Sequence, residues 1–397
     1  MKYFKLTKEK NIWMFLLPFG VALYLLFSMI SISLSQIFIF FSFVFWLVIL
    51  IQRKQKLIFP SFFWSLIAYS ALSLISSFLS KSQRTSLEDS RELLLFLIVP
   101  IVYSSFHEQK TLSIANRALL GSGILSGLYS VLYFIFKASP GERITGFMGH
   151  YMTQAGLMVL FCCMALSMFL FSRDKVRFLW GLGFILALVS LPLTLTRSAW
   201  VGLVIIVCII LLSYRPKSLI IIPVAIGLFF LLSPPHMKKR ALSIFSLKTA
   251  TNQARLEYIR AGIKVIKGYP LFGTGPNTVN VEIMKQEYGL SDDAKKDAVH
   301  LHNNVIQIGA ERGLLTLLAW ITFMVWTFVS LVKLLKNKNP LVHVLSVAAL
   351  AALFGLSTTG LFEYNFGDSE ITTLFLYLIT VPFSAALIQE KSQRINA

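Results

Sequence analysis

The chain has 397 residues, of which 56% are hydrophobic and only 14% are charged. Soluble domains contain about 25% charged residues. This composition therefore excludes an ordinary soluble protein and indicates an all-α polytopic membrane protein. The net charge of +19 would suit a nucleic-acid-binding protein, but the basic residues fall mainly in short segments between apolar runs. We therefore interpret the charge as a topology signal and expect no nucleic-acid partner.

Apolar stretches long enough to cross a membrane recur along the whole chain. We predict about twelve spans, at 12–31, 34–51, 61–79, 92–106, 117–136, 153–171, 177–195, 199–213, 218–232, 314–335, 341–361 and 371–388. The short segments on one side hold most of the lysines and arginines, which places both termini in the cytoplasm. The chain 1–397 then forms a single integral membrane domain. A large extracytoplasmic loop with amphipathic helices, 233–313, lies between spans 9 and 10.

Two short segments on the predicted outer face carry unusual polar residues. The segment 138–154 is rich in glycine and contains Arg143 and His150. The segment 193–202 places Arg197 at the membrane boundary, and an arginine toward the bilayer centre costs about 2.5–3.5 kcal/mol on insertion scales. Arg197 therefore either reaches the headgroups or binds an anionic ligand at that depth. A lipid-linked phosphate fits, because a guanidinium can bind it with paired hydrogen bonds.

The long loop contains a stretch, 251–277, that predicts a helix ended by Gly268 and Pro270. At about 100° per residue, Arg255 borders the apolar face, while the other basic residues form a separate stripe. The apolar face consists of Leu256, Ile259, Ile263 and Ile266, and the stripe of Arg260, Lys264 and Lys267. Such a stripe usually lies against headgroups or solvent, so Arg255 is the better ligand candidate. The following PLFGTGPN lacks the Lys-Ser/Thr ending of a nucleotide-binding loop.

The most informative stretch is 299–314, which reads VHLHNNVIQIGAERGL. We predict that His302 and Asn303 open a helix, with an asparagine capping the first free N–H groups. The residues that then share one face are His302, Ile306, Gly309 and Gly313. The glycines allow another backbone to approach closely. A histidine at this position suits a proton acceptor at the membrane surface, although an interfacial histidine without a chemical role is the alternative. His300 is expected to face the opposite side.

The last outer segment, 362–370, is short and acidic and contains Asp368. The chain has no obvious paired-carboxylate motif of glycoside hydrolases and no His-Glu-x-x-His motif. No cluster of His, Cys and carboxylate residues with ligand spacing is evident either. We therefore expect no metal and no cofactor.

The order of these motifs resembles the O-antigen ligase family over roughly residues 140–385. The resemblance is carried by TLTRSAWVG around Arg197, ARLEYIRAG…PLFGTGPN around Arg255, HLHNNVIQIGAERGLL around His302 and FEYNFGD around Asp368. The wider superfamily also includes O-antigen polymerases and protein O-oligosaccharyltransferases. The chain departs from the family pattern at Tyr258 and Ile259, where a tryptophan is commoner.

The resemblance implies a GT-C-like fold and an inverting, metal-independent glycosyltransferase at the periplasmic face of the bacterial inner membrane. The donor would be a glycan on undecaprenyl pyrophosphate, and the acceptor would be the lipid A–core oligosaccharide. The family roles that carry over are the catalytic histidine, at His302, and the pyrophosphate-binding arginines, at Arg197 and Arg255. The supporting or acceptor-side candidates are His300, Asn303, Arg143, His150, Arg260 and Asp368.

Elementary chemistry agrees with these roles. A sugar on pyrophosphate already has a good leaving group, so two arginines that stabilise the departing charge and one histidine base are sufficient. A transporter or flippase for lipid-linked sugars would also need basic residues. Such proteins usually contain internal repeats and matching broken helices, which we do not find in this sequence. Between ligase, polymerase and protein glycosyltransferase, the motifs do not decide.

Overall fold

The computed structural model describes residues 12–139, 141–246, 249–296 and 298–396, and the regular elements among them are helices. Within these residues, seven helices are long and apolar enough to cross a membrane, and four shorter apolar helices accompany them. The prediction of an all-α polytopic membrane protein is therefore confirmed. The total of about twelve spans and the GT-C-like arrangement stay predictions.

The first six helices are α1 (Ile12–Phe27), α2 (Ile32–Ile51), α3 (Phe63–Leu79), α4 (Gln83–Asp89), α5 (Ile98–Ser105) and α6 (Gln109–Phe136). The α1 helix packs against both α2 and α6. The contact between α1 and α2 is close at Gly20, where an added methyl group would lie only 2.6 Å from Ser42 Oγ. Small residues at a helix contact are typical of membrane proteins, whose helices are held together by close packing.

The next four helices are α7 (Tyr151–Phe171), α8 (Arg177–Leu193), α9 (Arg197–Tyr214) and α10 (Ile221–Leu232). The α7 helix is buried along most of its length and packs against α8 and α9. A tight turn precedes α9, where Leu195 adopts a left-handed φ of 53°. Every residue of α10 is at least partly exposed. Its apolar surface is therefore available to lipid.

Four further helices precede the next long apolar helix: α11 (Pro235–Leu242), α12 (Ala250–Gly268), α13 (Val279–Glu282) and α14 (Asp292–Lys296). The α12 helix confirms the helix predicted in 251–277 and its end at Gly268. The predicted apolar face is not the face that packs against the protein, however, because Leu256 and Ile263 are exposed. The residues that α12 buries are Tyr258, Ala261, Gly262 and Val265.

The last three helices are α15 (Asn304–Leu334), α16 (Pro340–Thr359) and α17 (Ser369–Asn396). The α16 helix packs against α7, α9 and α17 and completes the buried core. The α12 helix lies against the beginning of α15, and a methyl group on Gly262 would overlap Ile306 there. The buried face of α12 thus includes the small residues Ala261 and Gly262, which permit a close helix contact.

The α15 helix is interrupted at Gly313, whose φ of 80° and ψ of 171° belong to a region that essentially only glycine adopts. The PLFGTGPN loop enters this break. The Leu314 N–H donates to Pro270 O at 2.8 Å, and the Gly275 N–H donates to Glu311 O at 2.8 Å. These bonds satisfy backbone groups that the break leaves without helical partners. The predicted close backbone approach at Gly313 is thus confirmed, and the loop glycines serve packing.

Candidate active site

A cavity of about 1000 Å³ lies where the N-terminal ends of α7, α9 and α12 come together. Among the titratable residues in its lining are Arg143, Arg197, Arg240, Arg255, His150, His300, His302 and Glu363. A side cavity of about 180 Å³ is bounded by Arg197, Arg255 and His302 together with apolar residues such as Phe362. A third cavity, of about 240 Å³, is lined by both Glu363 and Asp368. Arg197, Arg255 and His302, which were predicted to be central to the site, therefore line the same two cavities.

His302 lies beside two other titratable side chains. Its Nδ1 atom is 3.1 Å from Glu363 Oε2, and His300 Nε2 is 3.0 Å from Glu363 Oε1. The two imidazole rings are 4.1 Å apart, and the ring of Tyr258 stacks on His302 with a centroid distance of 5.5 Å. Burial raises the pKa of the Glu363 carboxyl, but hydrogen bonds from His300 and His302 outweigh burial and hold the pKa below its ordinary range. Glu363 is therefore an ionised carboxylate.

In the neutral form of each imidazole, hydrogen bonds determine which nitrogen carries the proton. The backbone N–H of His302 donates to His300 Nδ1 at 3.1 Å. That nitrogen is therefore an acceptor, and His300 Nε2 carries the proton that is donated to Glu363. An ionised carboxylate can only accept, so His302 Nδ1–H also donates to Glu363. The lone pair of His302 then lies on Nε2, and the pair resembles a histidine base oriented by a carboxylate.

Two predictions for this segment are wrong. The α15 helix begins at Asn304, so His302 precedes the helix instead of lying on its first turn, and its φ is 49°. His300 lies on the same side as His302, because both residues precede the helix, and the helical spacing that would place residues two apart on opposite faces does not apply to them. The predicted cap is confirmed: Asn303 Oδ1 accepts a hydrogen bond from the Ile306 N–H at 3.0 Å.

The same three side chains also correct the expectation that no cluster has metal-ligand spacing. Each of these residues offers one potential ligand atom, and the three atoms, from His300, His302 and Glu363, lie within 4.8 Å of one another. The sequence did not reveal the cluster because Glu363 is 61 residues from His302. A metal on His300 Nε2 would move the imidazole proton to Nδ1, where it would face the backbone N–H of His302. The observed hydrogen bonds therefore fit two imidazoles holding a carboxylate better than a metal ligand set.

The two arginines predicted to bind pyrophosphate have different surroundings. Arg197 is only 6% exposed, and it donates to Ser243 O at 2.9 Å and to Asn252 Oδ1 at 2.8 Å. A side chain this buried does not extend to lipid headgroups. Arg255 is half-buried, and within the described residues its guanidinium has neither a hydrogen bond nor a salt bridge. Burial lowers its pKa. Of these two arginines, Arg255 is therefore the one whose guanidinium is open to an anionic ligand.

Two further arginines line the large cavity beside the turn before α9. Arg143 donates from Nε to Thr194 O at 3.1 Å, and its guanidinium stacks 3.3 Å from the centre of the Tyr151 ring. Burial lowers the pKa of Arg143 to about 10. Arg240 donates from Nε to Leu195 O at 3.1 Å. The sequence pointed to Arg143 but not to Arg240, because a run of three basic residues (KKR) gives no sign of which one turns toward a cavity.

The remaining candidates have separate positions. His150 lines both the large and the third cavity, and burial lowers its pKa. Asp368 accepts hydrogen bonds from the Ile371 N–H at 3.2 Å and from Thr153 Oγ1 at 2.7 Å, which ties the start of α17 to α7. Burial, together with a nearby carboxylate, raises the pKa of Asp368 to about 7. Arg260 is exposed and lies outside the lining of these cavities.

A buried ion network supports the segment that carries Glu363. Arg312 in α15 forms salt bridges of 2.9 Å to Asp89 and 3.0 Å to Glu311. It also donates to the hydroxyl of Tyr364 at 3.3 Å. Removing one member of such a network leaves an unpaired buried charge and costs about 3–5 kcal/mol. The sequence did not reveal this network, because Asp89 and Tyr364 are distant from Arg312 along the chain.

Comparison with known proteins supports part of the sequence interpretation. A protein-family model described as O-antigen ligase matches residues 182–321, a range that includes Arg197, Arg255 and His302. The resemblance to this family is confirmed over that range. The chain is also similar to an uncharacterized protein of Haemophilus influenzae, with 25% identity over 321 residues that cover 74% of this chain and 79% of the relative.

Proposed function

Because residues 182–321 match the O-antigen ligase family, we propose that this membrane protein is an O-antigen ligase. It would transfer a glycan from undecaprenyl pyrophosphate to a hydroxyl of the lipid A–core oligosaccharide. The reaction would take place at the periplasmic face of the bacterial inner membrane, with both termini in the cytoplasm. The observation that carries the proposal is the meeting of His302, Arg197 and Arg255 at one pair of adjoining cavities.

In this proposal His302 is the general base. Its Nε2 atom accepts the proton of the acceptor hydroxyl while the hydroxyl oxygen attacks the anomeric carbon of the donor. Glu363 holds His302 in the required tautomer and stabilises the imidazolium that forms. Base catalysis of this kind typically contributes about 10²–10⁴-fold to the rate. His300 is a positioning residue, because it donates the second hydrogen bond that holds Glu363.

The donor carbon–oxygen bond breaks on the opposite side of the anomeric carbon, so the configuration inverts. The electron pair leaves with undecaprenyl pyrophosphate, whose charge is stabilised by Arg255 and Arg197. The side cavity that contains both arginines has apolar walls that include Leu361 and Phe362, which suits a pyrophosphate attached to a lipid. Two guanidinium groups can provide the positive charge that a divalent cation supplies in other phosphate sites.

The position of the basic residues favours an enzyme over a transporter. Arg197 lies at the N-terminal end of α9, and the other cavity arginines precede helices or lie in the long loop segment. They are therefore gathered at one end of the helix bundle. A carrier that moves a charged headgroup across the bilayer would be expected to bind it near the membrane midplane.

The test is transfer by purified protein in lipid bilayers, supplied with lipid-linked glycan and one of three acceptors. These acceptors are lipid A–core oligosaccharide, a second lipid-linked glycan and a protein. We expect product on lipid A–core oligosaccharide, loss of transfer in His302→Ala and normal transfer in His236→Ala, because His236 is exposed outside the cavity. Transfer only to the second glycan or only to protein would refute the ligase assignment. Normal transfer by His302→Ala would remove His302 from the base role.

A further inference from the structure

The large cavity is lined by four arginines, and the proposed donor site accounts for two of them. Arg197 and Arg255 line both the side cavity and the large cavity. Arg143 and Arg240, in contrast, line the large cavity without reaching the apolar side cavity. A pyrophosphate held beside the apolar walls by the first pair therefore leaves the second pair without an assigned ligand.

Acidic residues of the cavity do not neutralise the second arginine pair. Asp293 pairs with Lys296 at 2.8 Å. Glu257 accepts hydrogen bonds from the backbone and side chain of Ser291, at 2.9 and 2.8 Å. Glu363 is held by two imidazoles. Within the part of the chain that the structure describes, neither arginine of the second pair forms a salt bridge. Their charge is therefore available to an anion from outside the protein.

The backbone of one turn holds these two guanidinium groups close together. Leu195 O accepts hydrogen bonds from Arg240 Nε at 3.1 Å and from Arg143 Nη2 at 3.4 Å. Arg240 forms this bond with its Nε. Among the described residues, its two Nη groups have no hydrogen-bond partner. Arg143 is further fixed by its stacking on Tyr151. The carbonyl that joins the two arginines belongs to a residue with left-handed φ, 53°.

We propose that Arg143 and Arg240 form a second anion-binding subsite, which binds a phosphate or carboxylate group carried by a sugar of one of the two glycan substrates. This proposal rests on the proposed glycosyltransferase function and adds a specificity to it. Phosphate and carboxylate match the donor geometry of a guanidinium, and the pairing is strongest where water is partly excluded. Neither arginine lines the apolar side cavity proposed for the lipid end of the donor, so the ligand of this subsite belongs to the sugars.

The experiment measures kcat/KM with matched charged and neutral substrates. In one arm, lipid A–core oligosaccharide is compared with the same acceptor after removal of its phosphates, using a neutral donor. In the other arm, a donor glycan containing a uronic acid is compared with its carboxyl-reduced form, using the dephosphorylated acceptor. We expect loss of the anionic group to lower kcat/KM by about 10- to 100-fold in one of the arms, as is typical for a charge-assisted hydrogen bond.

Variants identify the residues that produce this preference. Arg240→Gln and Arg143→Gln should lower kcat/KM for the charged substrate more than kcat/KM for the neutral one, so that the ratio of the two values falls toward one. Arg240→Lys should retain part of the preference, because it keeps the charge but loses the planar donor pair. Lys267→Gln is the matched control, since Lys267 is exposed on α12 and should behave as wild type.

The outcomes separate this inference from the proposed function. Equal use of charged and neutral substrates in both arms by the wild-type protein would overturn the anion subsite. An equal loss on charged and neutral substrates in Arg240→Gln would overturn it as well, because that result indicates a structural role. Absence of transfer to every acceptor would instead refute the proposed function.

Discussion

Replacement of Glu363 by glutamine tests the hydrogen-bond arrangement around His302. Glu363 accepts one N–H from each histidine, at 3.0 and 3.1 Å. Glutamine has the same length, but it offers only one acceptor oxygen and one amide donor group. The backbone N–H of His302 fixes His300 as the Nε2–H tautomer, so the glutamine oxygen must face His300. The amide donor then faces His302 Nδ1 and moves the proton of His302 to Nε2.

In this tautomer Nε2 of His302 carries a proton and has no lone pair. It therefore cannot accept the proton of the hydroxyl group on the acceptor substrate. We therefore expect Glu363→Gln to lower kcat by about 10²–10⁴-fold, the range of general base catalysis. In a serine protease triad, the carboxylate-to-amide change that produces the wrong tautomer costs about 10⁴. The Michaelis constant for the donor should change little, because Arg197 and Arg255 are untouched.

The assay combines transfer kinetics in lipid bilayers with ¹⁵N NMR of histidine-labelled protein, which reports the protonated ring nitrogen directly. Glu257→Gln is the matched control, because Glu257 lines the same cavity but bonds to Ser291. Wild-type kcat in Glu363→Gln would refute the role of Glu363. Loss of activity with His302 still protonated on Nδ1 would refute the tautomer argument.

Further predictions concern the other parts of the site. Arg255→Lys should lower kcat/KM by about 10²–10³-fold, since loss of one preorganised donor typically costs this much, whereas Arg260→Lys should match wild type in the same assay. His300→Ala should reduce kcat without changing donor binding, because Glu363 loses one of its two donors, and unaltered kcat would contradict the positioning role. Gly313→Ala should lower the thermal unfolding temperature, since φ is 80° there and a methyl group would overlap the inserted loop. Gly268→Ala, at a site with open space around the added methyl, is its control. Transfer should persist in excess EDTA, and activity that returns only on adding Mg²⁺ or Zn²⁺ would refute the metal-independent mechanism.

Sequence patterns predicted the helices well because membrane insertion depends on local hydropathy. Even α12, which is not a long apolar helix, was predicted to end at Gly268, where its helical residues do end. The buried face of α12 could not be predicted in the same way. Hydropathy favours isoleucine over glycine, but Gly262 is buried because it permits contact with Ile306. Which face packs thus depends on the partner helix, and the sequence of α12 does not contain that information.

The site was predictable where one residue type already carries the chemistry. Arg197, Arg255 and His302 are unusual in their local sequence, and the structure brings them to the same cavities. Glu363 was recognisable only as an acidic residue near a span, because its role depends on two histidines that are distant in sequence. The position of His300 also required the structure, since the sequence pattern did not show that the helix begins only at Asn304, after both histidines.

The break in α15 offers a physical reason why His302 and Arg255 can be held at a fixed distance from each other. A continuous α15 would extend the direction of its membrane-embedded part up to Asn304, but Gly313 allows the first turns to take a separate direction. Ile306 in those turns contacts Gly262 of α12. Arg255 lies two turns before Gly262 on the same helix. The distance between Arg255 and His302 is therefore set by a short, glycine-mediated helix contact. The His302 end of this unit is also bonded to the end of α16, because the Asn304 N–H donates to Gly360 O at 2.7 Å, so this bond and the glycine contact together position the base beside Arg255.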